Sequence, residues 1–301
     1  MERTIEEIGA KMDALGVWRE MSACNWAVRP AGIVFPYFCI VMPGDGKPVK
    51  ARFLMLEGWQ TMHDFVRTRV DRNFGFYSSP VEFPHLELVI LAGGVARLFR
   101  HDPGFVPVEA TEPQRNLAAK MLWEAYGVML RVEANPKLPI MFADEKAIFS
   151  RVENAKGEWR DVPLEIPAPP PHVEKISFET AELKRAKDLP FEQGAAMHVD
   201  FRMLPNVVTR DVPRPRFAYR LLAFDPITKE VVINQNVSVA PEFGLKEMWE
   251  SVPSRFLKAI VARGRVPGEI RVATGRMFRM LRPLCMELPF KLVMQENLQL
   301  L

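Results

Sequence analysis

The sequence predicts two domains, an α+β domain over residues 1–164 and an α/β domain over residues 174–301, with a linker at residues 165–173. The linker carries "EIPAPPPH", Glu165 to His172, whose consecutive prolines lack the amide hydrogens that a sheet ladder needs and favour polyproline II geometry. Before the linker, strand and helix patterns mix irregularly; after it they follow a definite order. A proline-rich surface loop within one domain is the alternative, and 301 residues suffice for two domains of ordinary size.

The composition is typical of a globular protein. Apolar residues make up 48% of the chain and charged residues 26%, and the net charge of +3 is too small to indicate a nucleic-acid or membrane partner by itself. No stretch approaches the ~18 apolar residues of a membrane span, and the N-terminus lacks the basic start and apolar run of a signal peptide. We therefore expect a soluble, cytoplasmic protein.

Cysteine and histidine patterns argue against metal chemistry. The three cysteines, Cys24, Cys39 and Cys285, are odd in number and form no C-x-x-C pair, so we expect reduced, buried thiols rather than disulfides or a zinc cluster. The histidines are scattered, and no two stand at the i, i+4 spacing of a helical metal site. They are His63, His85, His101, His172 and His198. We therefore expect no metal and no cofactor.

The first domain begins with an amphipathic helix whose apolar residues recur at helical spacing from Ile5 to Leu15. "VFPYFCIVM" and "VKARFLMLEG" flank "PGDGK", which predicts a hairpin. A helix follows. Its apolar face consists of Trp59, Met62, Val66 and Val70.

A second hairpin is predicted where Gly93-Gly94 joins "LELVILA" to "VARLF", because paired glycines suit a two-residue primed turn. The longest helix should begin at Thr111, since Thr111 and Gln114 have capping-box spacing. A last hairpin should turn between Asn154 and Gly157. The segments contain no phosphate-binding glycine loop and no dinucleotide fingerprint.

The second domain opens with a short charged helix and the stretch "AMHVDFRML", which alternates as a half-buried strand does. Its polar face consists of His198, Asp200 and Arg202. Two more strands, "RFAYRLLAFD" and "EVVINQNVSVA", meet at the turn "DPITK". A helical region bent at Pro253, the strand "EIRVA", a helix containing Pro283 and the strand "FKLVMQ" complete the order β-β-β-α-β-α-β in a mixed sheet.

Three meander strands followed by helix-linked parallel strands resemble the ribonuclease H-like fold of integrases and transposases, over about residues 195–300. "LLAFDPITKEVV" also resembles the integrase segment in which a strand ends in Asp before a hairpin. The whole chain is similar to uncharacterised bacterial proteins with paired domains of unknown function.

The resemblance implies two magnesium ions held by converging carboxylates, because two metals support the attacking and leaving oxygens of phosphodiester cleavage. Asp200 fits the first ligand position, in the middle of the first strand. The second position, after the fourth strand, offers only Ala273-Thr274-Gly275. For the ligand that comes from a helix, Glu247 and Glu250 are available, and the position after the fifth strand could be filled only by Glu296. We therefore expect a non-catalytic domain in which Asp200 is an exposed strand acid paired with Arg202.

Basic residues accumulate toward the C-terminus, which makes nucleic acid a candidate partner. If they share one face, they could neutralise phosphates. The candidates are Arg263, Arg265, Arg271, Arg276 and Arg279, with a second group at Arg210, Arg214, Arg216 and Arg220. Alternatively, these arginines keep apolar elements soluble or pair with acids.

The sequence thus predicts a non-catalytic, two-domain protein that binds a nucleic acid or a protein through its basic C-terminal region. A metal-dependent phosphodiesterase or transposition-related enzyme with an atypical carboxylate set is the alternative. It requires Asp200 to meet at least two other carboxylates. A third possibility is a binding module without a nucleic-acid role, whose arginines serve contacts within the protein.

Overall fold

The computed structural model describes residues 3–16, 26–46, 48–70, 82–135, 137, 146–169, 176, 178–210, 212–240, 244–295 and 298. The chain forms two compact units. Unit 1 contains Met1–Val66, Phe83–Asp102 and Pro107–Pro170, and unit 2 contains Arg67–Glu82, Pro103–Val106 and Pro171–Leu301. Among the helices in the described ranges, none combines the length and the apolar character that a membrane crossing requires.

Unit 1 is built on a mixed sheet of eight strands in the order β6-β5-β4-β3-β2-β1-β7-β8. Its strands are β1 (Trp26–Arg29), β2 (Tyr37–Gly46), β3 (Val49–Glu57), β4 (His85–Leu91), β5 (Ala96–His101), β6 (Val108–Glu109), β7 (Ala147–Glu153) and β8 (Trp159–Glu165). β1 and β7 pair in parallel, and the other neighbours are antiparallel. The three predicted hairpins are present as β2–β3, β4–β5 and β7–β8.

Helices α1 (Ile5–Leu15) and α3 (Glu112–Ala134) contribute to the main core of unit 1. Ile5, Ile8 and Met12 are buried, as the helical spacing predicted, and Leu15 is partly buried against the same core. α3 begins after Thr111, as predicted, and the Thr111 N–H donates to Gln114 Oε1 at 2.9 Å. Helix α2 (Gly58–Val70) contributes Phe65 to a second core with side chains of β1, β2 and β3.

The turn between β4 and β5 is one residue longer than the sequence predicted. Leu91 N–H donates to Val95 O at 2.8 Å, so three residues, Ala92 to Gly94, separate the paired positions instead of Gly93 and Gly94 alone. Gly93 and Gly94 adopt φ angles of 89° and 76°, which glycine accepts without a Cβ penalty. The extra residue sets the register that pairs His85 with His101.

Unit 2 is built on a mixed sheet of five strands in the order β11-β10-β9-β12-β13. The strands are β9 (Phe191–Val208), β10 (Arg216–Phe224), β11 (Val231–Ser238), β12 (Val266–Val272) and β13 (Lys291–Met294). β9, β10 and β11 form an antiparallel meander, whereas β12 pairs in parallel with both β9 and β13.

The helices of unit 2 are α4 (Thr180–Lys187), α5 (Leu245–Glu250), α6 (Val252–Arg263) and α7 (Gly275–Glu287). The break between α5 and α6 falls at Ser251, two residues before Pro253, where a bend was expected. Apolar side chains of all four helices and of the sheet form one core. The order β-β-β-α-β-α-β predicted for this part of the chain is therefore present, with α5 and α6 as its first helical region.

Candidate functional site

The predicted site residue Asp200 lies in the middle of β9, the central strand of the second sheet. Only 4% of its surface is exposed, and Arg202 Nε lies 3.6 Å from its Oδ2. Burial raises the pKa of Asp200, and the positive charge of Arg202 opposes that shift only in part. The expected pairing with Arg202 is confirmed, but the expected exposure of Asp200 is wrong. His198, on the same side of β9, is buried too, so the alternating pattern does not mark a solvent face.

The position after β12, where a second carboxylate would be needed, has a structural role. Thr274 is buried and caps α7, because its Oγ1 accepts a hydrogen bond from Met277 N–H at 3.2 Å. Lys246 Nζ lies 3.9 Å from Glu250 Oε1, and Glu247 is exposed on α5. Within the described ranges, no metal-binding group of three or more acids, histidines and cysteines includes Asp200. Glu296 lies outside those ranges, as do Cys24 and His172.

Two of the predicted basic residues form an ion-pair cluster with acids of unit 2. Arg263 has a side chain only 3% exposed, and its guanidinium lies 3.1 Å from Glu230 and 3.3 Å from Glu192. Arg265 contacts the same two carboxylates at 2.7 and 3.2 Å. Hydrogen bonds from these arginines lower the pKa of Glu230. This cluster joins α6 to β9 and to the β10–β11 turn.

The remaining predicted arginines also have partners or lie partly buried. Arg271 Nε is 2.5 Å from Glu269 Oε1. Arg276 lies 3.3 Å from Glu82 Oε2 and 3.7 Å from the centroid of the Trp249 ring. Arg279 is half-buried on α7. Four of the five arginines thus have a carboxylate partner inside unit 2.

In the second predicted group, three arginines donate hydrogen bonds to other parts of unit 2. Arg214 donates to Val106 O at 3.1 Å, and Arg216 donates to Val239 O. Arg220 donates to Asn234 Oδ1 at 2.8 Å, whereas Arg210 is exposed. The structure does not gather either group into a single unpaired basic surface.

Sequence reasoning missed a cluster of titratable side chains in unit 1. His85 and Glu87 are two residues apart on β4, so their side chains lie on one side of the strand, and His101 on β5 is directly opposite His85. The two imidazole rings are stacked at 4.1 Å with an interplanar angle of 16°. His101 Nε2 lies 2.6 Å from Glu87 Oε2. All three residues are 4–5% exposed.

The protonation of this cluster follows from its neighbours. Burial lowers the pKa of His85 to about 4, and the nearby His101 adds to that shift, so His85 is neutral at pH 7. Burial alone would raise the pKa of Glu87, but the hydrogen bond with His101 and the charge of Arg52 lower it overall. Arg52 reaches Glu87 Oε1 at 3.7 Å. A neutral His85 imidazole therefore lies near an ionised Glu87 carboxylate, and both side chains are buried.

An open pocket in unit 1 offers a weaker candidate site. Its lining includes Trp123 and Trp159 beside Lys120 and Glu124. Lys120 pairs with Glu153 at 2.6 Å, and Glu124 pairs with Arg151 at 2.6 Å. Lys120 and Glu124 are therefore already neutralised by neighbours, which weakens the pocket as a site for a charged ligand.

In a comparison with known protein families, one family model matches part of the second unit. The family described as a domain of unknown function, DUF6930, matches residues 182–301, which include all five strands of the second sheet. No curated protein and no solved structure matches the chain.

Proposed function

We propose that this protein is a non-catalytic binding protein whose second unit is a degenerate ribonuclease H-like domain. The strand arrangement supports the likeness: a three-stranded antiparallel meander is followed by two strands that are reached through helices, and β12 runs parallel to both β9 and β13. The sequence resemblance over about residues 195–300 covers the same strands.

The proposal that the protein has no nuclease activity rests on the environment of Asp200. A magnesium-dependent nuclease needs several ionised carboxylates at one point, because a hard dication takes oxygen ligands and the reaction uses two ions. Asp200 is buried, its pKa is raised by burial, and the charged group that contacts it is the cation of Arg202, not a metal-binding set of acids. The end of β12 supplies the helix cap Thr274 instead of an acid.

The ion pairs of unit 2 favour a protein over a nucleic acid as the partner. Salt-sensitive binding to phosphates requires lysines and arginines whose charge is not already neutralised. Arg263, Arg265, Arg271 and Arg276 each lie within 3.3 Å of a carboxylate. β11 is an edge strand of its sheet with exposed side chains at Asn234, Gln235 and Asn236, and such edges accept a strand from another protein.

A nuclease assay tests the inactivity. We expect the purified chain, supplied with Mg²⁺ or Mn²⁺, to leave labelled duplex, hybrid and single-stranded substrates intact. Cleavage that Asp200→Ala abolishes and that Arg202→Ala preserves would instead establish the alternative, a metal-dependent phosphodiesterase with an atypical carboxylate set. The Arg202→Ala control separates loss of chemistry from loss of the ion pair.

Fluorescence anisotropy with the same labelled nucleic acids tests the choice of partner. We expect no saturable binding near physiological salt, because the predicted arginines are internally paired. Binding that weakens steeply with salt, and whose salt dependence falls in Arg271→Ala and Arg279→Ala but not in a Lys11→Ala control on α1, would make nucleic acid the partner.

A further inference from the structure

We propose that His85, Glu87 and His101 bind one divalent transition-metal ion of the zinc type. Each residue offers one ligand atom, and these atoms all lie within 4.8 Å of one another. Two imidazoles and a carboxylate form a donor set that zinc and its neighbours in the first transition series accept. This inference concerns unit 1 and is independent of the role proposed for unit 2.

The hairpin holds the three ligands in place before any ion binds. The register pairs His85 with His101, and Glu87 with Phe99 one step further along β5. On the other side of β4, the fully buried Leu54 and Leu56 of β3 lie opposite Glu87 and His85. Ligands on two hydrogen-bonded strands lose little conformational freedom on binding, which favours affinity.

The hydrogen bonds of the rings leave ligand atoms available. His85 Nδ1 lies 2.7 Å from Phe83 O, and because a carbonyl only accepts, Nδ1 carries the hydrogen and Nε2 has the lone pair. His85 Nε2 is buried and makes no hydrogen bond. A ring N–H donated to a backbone carbonyl while the other nitrogen faces the ion is the arrangement that orients histidine ligands in metal sites.

His101 reaches the cluster through the nitrogen that faces Glu87. Its Nε2 lies 2.6 Å from Glu87 Oε2, so an ion bound to these two atoms would take the place of the hydrogen that they share, and the ring would then carry its hydrogen on the buried Nδ1. The buried lone pair of His85 Nε2 has no donor, which costs about 1–3 kcal/mol. A bound cation would satisfy this lone pair, whereas the hydrogen bond between His101 and Glu87 does not.

The charges around the cluster set the expected affinity. Glu87 contributes the negative charge that favours a dication, and Arg52, 3.7 Å from Glu87 Oε1, opposes it. Arg52 is one-third exposed at its side chain, so it has room to move away from the carboxylate. Removal of the Arg52 charge should therefore strengthen metal binding without removing a ligand.

Titration of the chelator-treated chain with Co²⁺ and Zn²⁺ tests the site. We expect one equivalent of Co²⁺ with visible bands typical of nitrogen and oxygen ligands, displaced by Zn²⁺. His85→Gln, Glu87→Gln and His101→Gln should each weaken binding at least tenfold, whereas His63→Gln, on α2, should not. Unchanged affinity in all three ligand variants would overturn the proposal, as would a thiolate band pointing to cysteine.

Two measurements keep the test decisive if a ligand variant fails to fold. In the wild-type chain, the ring ¹⁵N signals of two histidines should shift on addition of one equivalent of Zn²⁺, with the others unmoved. Arg52→Met should bind Zn²⁺ more tightly than the wild type, because the competing cation is gone. A wild-type spectrum that Zn²⁺ leaves unchanged would refute the site without any mutation.

Discussion

Asp200, which the sequence resemblance singles out as a candidate metal ligand, lies in an environment that does not suit that role. It lies on the central strand of the second sheet, but burial raises its pKa, and the guanidinium of Arg202 lies 3.6 Å from its Oδ2. The sequence predicted the partner because Arg202 is two residues away on the same side of the strand. It could not predict the burial, because polar residues alternating with apolar ones are typical of a strand with one solvent face.

The raised pKa gives Asp200 a definite effect on stability. Its folded-state pKa lies above the ordinary value of 3.8, so the folded state binds the proton more tightly and loses this advantage as the pH rises through the folded pKa. Asp200→Asn removes the buried charge. We expect the variant to be more stable than the wild type at pH 7, by on the order of 1 kcal/mol, and the difference to vanish at about pH 3, below the ordinary value of 3.8, where the carboxyl is protonated in both states.

Urea unfolding at both pH values measures this difference, and Asp161→Asn is its control. Burial alone would raise the pKa of Asp161, but hydrogen bonds from Arg131 and Arg151 lower it. A lowered pKa contributes stability that is present above pH 3.8 and is lost as the pH falls through the folded pKa. Asp161→Asn should therefore destabilise at pH 7. Equal signs for the two variants would contradict the assigned environments.

Arg263 and Arg265 share two carboxylates but differ in burial, which separates their expected contributions. Arg263→Ala removes a buried cation from Asp225, whose side chain is only 7% exposed, and from the neighbouring acids. We expect this change to lower the free energy of unfolding by roughly 3 kcal/mol. Arg265, 40% exposed, should cost clearly less than Arg263 when replaced by alanine, because solvent screens its ion pairs. Chemical denaturation of both variants measures the two losses of stability. Small and similar losses would mean that the ion pairs of Arg263 contribute little to folding, which would make Arg263 a candidate for binding a partner.

At the scale of elements, most of the fold was predictable because hydrophobic periodicity and turn residues act locally. The three hairpins of unit 1, the capping box of α3 and the element order of unit 2 follow from such patterns. The His85–Glu87–His101 cluster did not follow, because it depends on register. A two-residue turn at Gly93-Gly94 would align His101 with Leu86, whose side chain packs into the main core. The observed three-residue turn aligns it with His85.

Glycine substitutions in two elements should have opposite effects. Gly93 has a φ of 89°, so Gly93→Ala should destabilise by about 1–2 kcal/mol. Gly127 lies inside α3, where a Cβ would meet no atom within 4 Å. Gly127→Ala should therefore stabilise by about 0.5–1 kcal/mol. Thermal unfolding of both variants measures the signs, and a stabilising Gly93→Ala would mean that the β4–β5 turn has another geometry.

For the molecule as a whole, the chain does not divide at one point. Residues 103–106 precede the predicted linker but belong to unit 2. Phe217 N–H donates to Gly104 O at 2.9 Å, and Val106 N–H donates to Pro215 O at 3.0 Å. Composition marks linkers by their prolines, but it carries no signal for a short segment that completes a distant unit. Sequence-based boundaries assume contiguous domains, so this segment was not predictable.

Gly104 provides the test of this assignment. Its φ is 80°, and an added Cβ would lie 2.6 Å from Cγ1 of Val239, a β-branched side chain that cannot turn aside easily. Gly104→Ala should therefore loosen unit 2 although it lies in the first half of the sequence. We expect faster amide hydrogen exchange in β10 and the end of β11, and unchanged exchange in β2 and β3. Gly157→Ala, with a φ of 80° and no atom nearer to its added Cβ than Glu153 Oε1 at 3.8 Å, should leave β10 unaffected. Exchange that rises in β4 and β5 instead would assign residues 103–106 to unit 1.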